Sequence, residues 1–437
     1  MTDEEDGRHA PDPRRGTRSP LTGRPGTDQM GGMAGRHRLA LFATSTVTGF
    51  GIATWITRTP AIRDELGASI EAMGLVLLGL SIGSMIGILG AGALVRRLGN
   101  RPLILLGGAL PVVGTVLVAL LAPAQVAAGV WVGLFLIGFG AGVAEIGLNV
   151  EAAAVERLIG RPVVPVLHAC FSLGSVVGGV VGIAMTAAGT PVRVHLLVGA
   201  AVMAALAVFA ALNLRPVPRD APTDAPAVAR GTRRGARRSV LTVQLAMIAV
   251  ITLAMAFAEG AASDWLPLLM TTDHDAPESV GSLVFTGFAL AMLIGRAAGT
   301  PLVARFGRAP VVRVCAAVGA VGVLLVVLSP SPVVTAAAAG VWGLGIALGF
   351  PLSISAAGDH PTDGDRRVSV VATAGYIAFL VGPPLLGFVG EHLGLQTAML
   401  VPLVLLVAAF VVAPATRGRD TGRTIEPTEP ARRPSGR

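Results

Sequence analysis

Few ionisable side chains interrupt the long apolar stretches of this sequence, and those few are where chemistry could occur. A charge at the centre of a membrane helix costs at least ~2.5–3.5 kcal/mol on insertion scales, so each one needs a reason. Glu145 and Asn149 are spaced i, i+4 and share one helical face, with Gly138, Gly142 and Ala152 nearby. A carboxylate and an amide above small residues suit a polar solute or a proton; the plainer role is a hydrogen bond to a neighbouring helix. Glu259 is a lone acid in a later apolar stretch and has the same two readings. Arg296 stands alone in the stretch after that. Its expected partners are Glu145 and His168, the latter sharing a face with Ser172. A histidine titrates near physiological pH and can sense protons, although at a helix end it more often serves as a structural cap. Counting residues places Glu259 about 15–20 Å nearer the outer surface than Arg296 at 1.5 Å per residue, so these two are not expected to meet. Arg58 and Asp264, close to Trp55 and Trp265, form the expected outer gate; snorkelling of Arg58 to the interface is the other reading.

These residues need a scaffold, and the composition says which kind. The chain is 53% hydrophobic and only 14% charged, against roughly a quarter charged for soluble domains. The apolar blocks run about 20 residues, the length that crosses ~30 Å of hydrocarbon. They predict an all-α membrane protein with twelve helices near 38–60, 71–95, 102–122, 126–153, 165–189, 193–213, 240–266, 279–303, 309–329, 333–357, 368–390 and 395–413. A membrane barrel would instead show ~10-residue alternating segments. The expected organisation is a disordered tail (1–37), a six-helix bundle (38–213), a Pro- and Arg-rich linker (214–239), a second six-helix bundle (240–416) and a tail (417–437).

The formal charge of +8 is no nucleic-acid signal once its distribution is read. All 34 basic residues are Arg, and thirty fall in the tails, the linker and the loops on one face. Only Arg58, Arg63 and Arg193 fall on the other, with Arg296 inside a helix. The bias predicts cytoplasmic N- and C-termini. Cys170 and Cys315, without CxxC spacing, predict neither a disulfide framework nor a metal site.

The two bundles repeat. Gly129-Val130-Trp131 recurs as Gly340-Val341-Trp342, Gly138-Phe139 as Gly349-Phe350, Arg97-Leu98-Gly99 as Arg305-Phe306-Gly307, and Trp55 as Trp265, all at offsets of 208 to 211 residues. Gly174 to Gly179 likewise matches Gly382 to Gly387. Two halves in parallel orientation enclose a site near the midplane in many transporters.

Gly92 to Arg101 resembles the loop after the second helix of the major facilitator superfamily, pattern G-x-x-x-D-R-x-G-x-R, with Arg96 at the acidic position and Arg97, Gly99 and Arg101 retained. The second copy, around Arg305 and Gly307, carries Ala304 at the acidic position. The resemblance implies that these loops latch the halves on the cytoplasmic side. With the acid replaced, Arg96 and Arg97 are expected to pair instead with Asp359, Asp363 or Asp365. A narrower likeness, to the MosC-like branch with its rhizopine-type transporters, rests on Trp55 to Pro60, Glu145 to Glu156, His168 with Phe171 to Gly174, Glu259 to Ala261 with Asp264-Trp265, and Gly295-Arg296. Glu151 and Glu156 are expected in interfacial ion pairs with Arg157 and Arg161.

No GxxxxGK[ST], GxSxG or HExxH motif supports an ATP-driven pump or a membrane enzyme, and no cofactor is implied. The expected function is a monomeric secondary transporter of the bacterial inner membrane. It would move a small polar solute, sugar- or cyclitol-like by the branch resemblance, with protons. Efflux of drug-like compounds is the alternative within transport, and a non-transporting sensor or scaffold the alternative outside it. Lipids are the only other expected partner, and nucleic acid is not one.

Overall fold

The computed structural model describes residues 27–159, 163–214, 242–360 and 363–417, apart from the side chains of 27–34, 157, 158, 165 and 365. The expected linker and most of both expected tails therefore lie outside the described residues.

Twelve helices are long and apolar enough to cross a membrane, and no strand occurs among the described residues. They are α1 (Gly35–Ile56), α2 (Ile70–Leu98), α3 (Asn100–Leu121), α4 (Ala127–Glu156), α5 (Val166–Ala187), α6 (Val192–Asn213), α7 (Val243–Thr272), α8 (Glu278–Ala297), α9 (Arg308–Leu328), α10 (Pro332–Gly358), α11 (Arg366–Leu393) and α12 (Leu395–Thr416). Large apolar side chains such as Leu89, Leu212 and Val333 point outward, as a lipid-facing surface requires. Trp55, Trp265 and Trp342 are fully buried.

Several boundaries differ from the sequence-based expectation. The helix containing α1 starts at Thr27, well inside the expected disordered tail, and no proline interrupts the sequence from there to Ile56. At its other end it stops at Ile56, and a separate short helix, Thr59–Leu66, follows with Pro60 in its first turn. Helix α7 continues to Thr272 through Pro267, past the expected end at 266.

Within the first bundle, backbones meet where glycine removes the side chain. A Cβ at Gly83 would lie 2.1 Å from the carbonyl oxygen of Phe135, and one at Gly138 would lie 2.0 Å from that of Leu80. Helices α2 and α4 are thereby packed as closely as small-residue faces permit. The duplicated loops agree in backbone as well as sequence. Gly99 (φ 85°, ψ 173°) and Gly307 (φ 78°, ψ 165°) hold the same conformation, one essentially reserved for glycine.

Bonds between the bundles gather at the ends carrying Arg58, Glu278 and Glu391, the Arg-poor face. Arg58 bonds Glu278, Ser282 Oγ donates to the carbonyl of Thr57, and the first backbone amides of α2 donate to Glu391. Close backbone approaches join α2 to α11 at Gly74 and Pro383, and Gly179 of α5 abuts Thr286 of α8. The side-chain bonds described at the Arg-rich face stay within one bundle, as in Glu151 with Asn100, Glu156 with Val163, Arg308 with Asp359 and Gln244 with Ala415.

A candidate transport site between the bundles

Four helices bring the mid-span polar residues together. Glu145 projects from α4 and is exposed although it lies well inside a membrane span. It is an electrostatic neighbour of His168 on α5, Glu259 on α7 and Arg296 on α8. A fifth helix, α11, contributes Tyr376, which in turn feels the charge of Glu145. The group thus draws on both bundles.

The amide of Asn149 donates to the backbone carbonyl of Glu145 at 2.8 Å, one turn back. It therefore does not occupy the Glu145 carboxylate, which remains available to a solute. Ser172 makes the same kind of bond to the carbonyl of His168 at 3.2 Å. His168 is exposed.

Arg296 and Glu259 do meet, contrary to the expectation from counting. Nη2 of Arg296 donates to Oε1 of Glu259 at 3.1 Å. The physical reason is the true end of α7. With the helix running to Thr272, Glu259 sits near its middle rather than in its outer third. Measured from their outer ends, Glu259 and Arg296 lie thirteen and eighteen residues deep. The gap is about 7.5 Å at 1.5 Å per residue, which two long side chains span. Both side chains remain partly exposed, at 28% and 39%, so the pair is accessible to a ligand.

The expected Arg58–Asp264 gate is not what forms. Arg58 lies just past α1, is 3% exposed, and spends its guanidinium on three groups. Nε donates to Nδ1 of His195 at 2.9 Å, Nη2 to the carbonyl of Thr190 at 2.7 Å, and Nη1 to Oε2 of Glu278 at 3.3 Å. Burial lowers the pKa of Arg58, and the nearby Glu278 carboxylate opposes that shift. Asp264 is buried within α7, eight residues before its end, about 12 Å deeper than that terminus. Trp55 and Trp265 are buried too. Glu278, at a helix start rather than inside a span, is the partner that sequence reasoning missed. His195 was missed as well, and so was Tyr376, although Tyr376 is the only tyrosine in the chain and that was a usable signal.

At the Arg-rich face, Arg96, Arg97 and Arg101 are exposed. Asp359, one of their expected partners, accepts instead from Arg308 at 2.6 Å within its own bundle. The side chain of Asp365 lies outside the described residues. Arg305 lies over the ring of its neighbour Phe306. The side chain of Arg157, an expected partner of Glu151, lies outside the described residues. Glu151 contacts His37 at 3.3 Å and accepts from Asn100 at 3.1 Å, joining α1, α3 and α4. Glu156 accepts from the amides of Val163 and Val164 at the start of the next helix.

A protein-family model, described as Major Facilitator Superfamily, matches residues 1–155 and 248–435. The chain belongs to the Major Facilitator Superfamily. It is a secondary transporter and a multi-pass protein of the bacterial inner membrane. Among curated relatives, an uncharacterized MFS-type transporter of Yersinia pestis is 28% identical over 87% of this chain and 95% of its own length. Membrane protein MosC of Rhizobium meliloti is 24% identical over 87% of this chain and 89% of its own, which supports the branch resemblance. Among solved structures, the nucleoside transporter NupG aligns with a TM-score of 0.63 at 15% identity, covering 87% of this chain and 98% of its own. The E. coli fucose:proton symporter FucP aligns at 0.60 and 17%, covering 86% and 98%. A bacterial homolog of the human lysosomal transporter Spinster, in an inward-facing and occupied conformation, aligns at 0.65 and 16%, covering 87% and 96%.

Proposed function

We propose that this transporter moves a small polar solute, sugar- or cyclitol-like in its hydroxyl chemistry, together with protons, by alternating access. The observation that carries the reading is the convergence of Glu145, His168, Glu259, Arg296 and Tyr376 from both bundles at mid-span. Carboxylates, a guanidinium and a phenol offer acceptors and donors to a polyhydroxylated solute, and the exposed Glu145 carboxylate is a base for the proton. The bonds described between the halves gather at the Arg-poor face, as expected for one end state of a rocking cycle. With the termini cytoplasmic by the Arg distribution, that state is inward-facing. Solved transporters of this fold include symporters named for fucose and for D-xylose with protons, which is consistent with such a cargo. The protein needs no cofactor in this scheme and works as a monomer, because both halves of the site lie in one chain.

Proteoliposomes holding a pH-sensitive dye test the reading. A panel of sugars, cyclitols and cationic drugs is added singly to the purified protein. A solute-dependent proton flux that disappears in Glu145→Gln is the expected result. Flux evoked by the cationic drugs alone would replace this cargo with efflux, and solute uptake without proton movement would remove the coupling.

A further inference from the structure

We infer that Glu391 is a positioning residue for the transport cycle: a carboxylate from the second bundle that caps a helix of the first and holds the Arg-poor face shut. The inference rests on the alternating-access reading, but its test does not need the solute.

A helix begins with backbone amides that have no partner inside the helix. In α2 those amides are covered from two sources. Ser69, the N-cap, takes the amide of Ala72 on its own hydroxyl at 3.1 Å. The amides of Ile70 and Glu71 donate instead to Oε2 of Glu391, at 2.8 and 3.2 Å. Glu391 sits near the end of α11, more than three hundred residues along the chain. One oxygen of one bundle thus completes the first turn of a helix in the other. A carboxylate at this position also meets the positive end of the helix dipole, so charge and hydrogen bonding act together.

Among the described residues, the rest of this seam is packing. Where α2 and α11 cross, a Cβ on Gly74 would lie 2.7 Å from the Pro383 carbonyl oxygen and 3.2 Å from Cα of Gly387. These are packing contacts between helical backbones, which slide apart without leaving a polar group bare. Separating Glu391 from α2 leaves two amides needing water. By the repeat that aligns Gly174 with Gly382, the residue matching Glu391 is Ile183 on α5. Among the described residues, no acid caps the sister seam between α5 and α8 in this way. At the opposite face, the equivalent loop positions of the two halves hold Arg96 and Ala304, so neither supplies an acid there. Capping by an acid is thus placed where it favours closure of the Arg-poor face.

The experiment is double electron–electron resonance on the full chain in nanodiscs, in a Cys170→Ser, Cys315→Ala background. One label pair replaces Asp64 and Leu393, both exposed at the Arg-poor face. A second pair replaces Leu98 and Leu302 at the Arg-rich face. Glu391→Gln, Glu391→Ala and Glu391→Lys are compared with the parent. The long-distance population of the first pair is expected to rise in that order, with roughly a three- to tenfold change in the open-to-closed ratio for Ala. Gln keeps an acceptor and carries the argument should Ala fail to fold. Lys places a cation on the helix start and should open furthest. A first-pair distribution unchanged in all three overturns the role of Glu391. If the first pair lengthens while the second fails to shorten, the cap stands and the alternating-access reading falls instead.

Discussion

Glu278→Gln gives the sharpest test of the closed face. The substitution keeps shape and removes the one anion bonded to Arg58, whose guanidinium is 97% buried by its 3% exposure. Breaking a fully buried ion pair from one side costs ~3–5 kcal/mol. Exposed pairs are worth about 0–1 kcal/mol. Glu278 is 37% exposed, so its contact is screened from one side. Arg58 also keeps His195 and the Thr190 carbonyl. A loss of about 1.5 kcal/mol follows as an intermediate value. It falls on the closed state alone, because the pair joins α8 to the end of α1 and is broken when the bundles part. At 1.4 kcal/mol per factor of ten, the open fraction rises about tenfold. The readout is the reaction of a membrane-impermeant maleimide with Thr286→Cys, a position 7% exposed beneath the seal whose hydroxyl otherwise bonds its own helix. With fast opening, the labelling rate follows the open fraction. A tenfold faster rate in Glu278→Gln, matched by Arg58→Lys, is the expected result. A rate within twofold of the parent would show that Arg58 and Glu278 touch without holding the face closed.

Three further outcomes follow from the same structure. Glu259→Gln and Arg296→Ala should each lower solute transport at least tenfold, and the double variant should be no worse than the poorer single, since both remove one bonded pair; fully additive losses in a double-mutant cycle would mean the two act separately. Gly138→Leu should prevent stable folding, because even a Cβ would lie 2.0 Å from the Leu80 carbonyl oxygen; a monodisperse peak with unchanged melting temperature would contradict the packing. Glu65, on the short helix outside the spans, has its pKa raised by burial, with Arg58 pulling it down, and its Oε2 is buried without a partner. A carboxyl raised in the folded state binds its proton more tightly there than when unfolded, so this site adds stability as pH falls. Glu65→Gln should therefore raise the melting temperature at pH 7, with the gain shrinking toward pH 4.5 and below; an equal gain at all pH values would rule out titration of Glu65 as the cause.

Composition and apolar block length were enough to determine a twelve-helix membrane protein, because hydrocarbon thickness sets the length of a span and forbids unpaired backbone inside it. The duplication was legible for the same local reason: Gly99 and Gly307 recur because each loop copy needs a backbone conformation only glycine takes readily. The rarity of charges inside spans singled out Glu145, Glu259 and Arg296, since each such charge is costly. Which of them touch was decided only in the tertiary structure. Arg296 reaches Glu259 because α7 runs six residues past its apolar-looking end, and a register argument inherits every error in a helix boundary. Arg58 chooses Glu278 over Asp264, and Glu391 crosses to the start of α2, because these partners lie on helix ends brought together by packing of the two bundles. Contacts between helices hundreds of residues apart depend on tilt, depth and rotation, and those follow from glycine faces meeting in three dimensions, not from spacing along the chain.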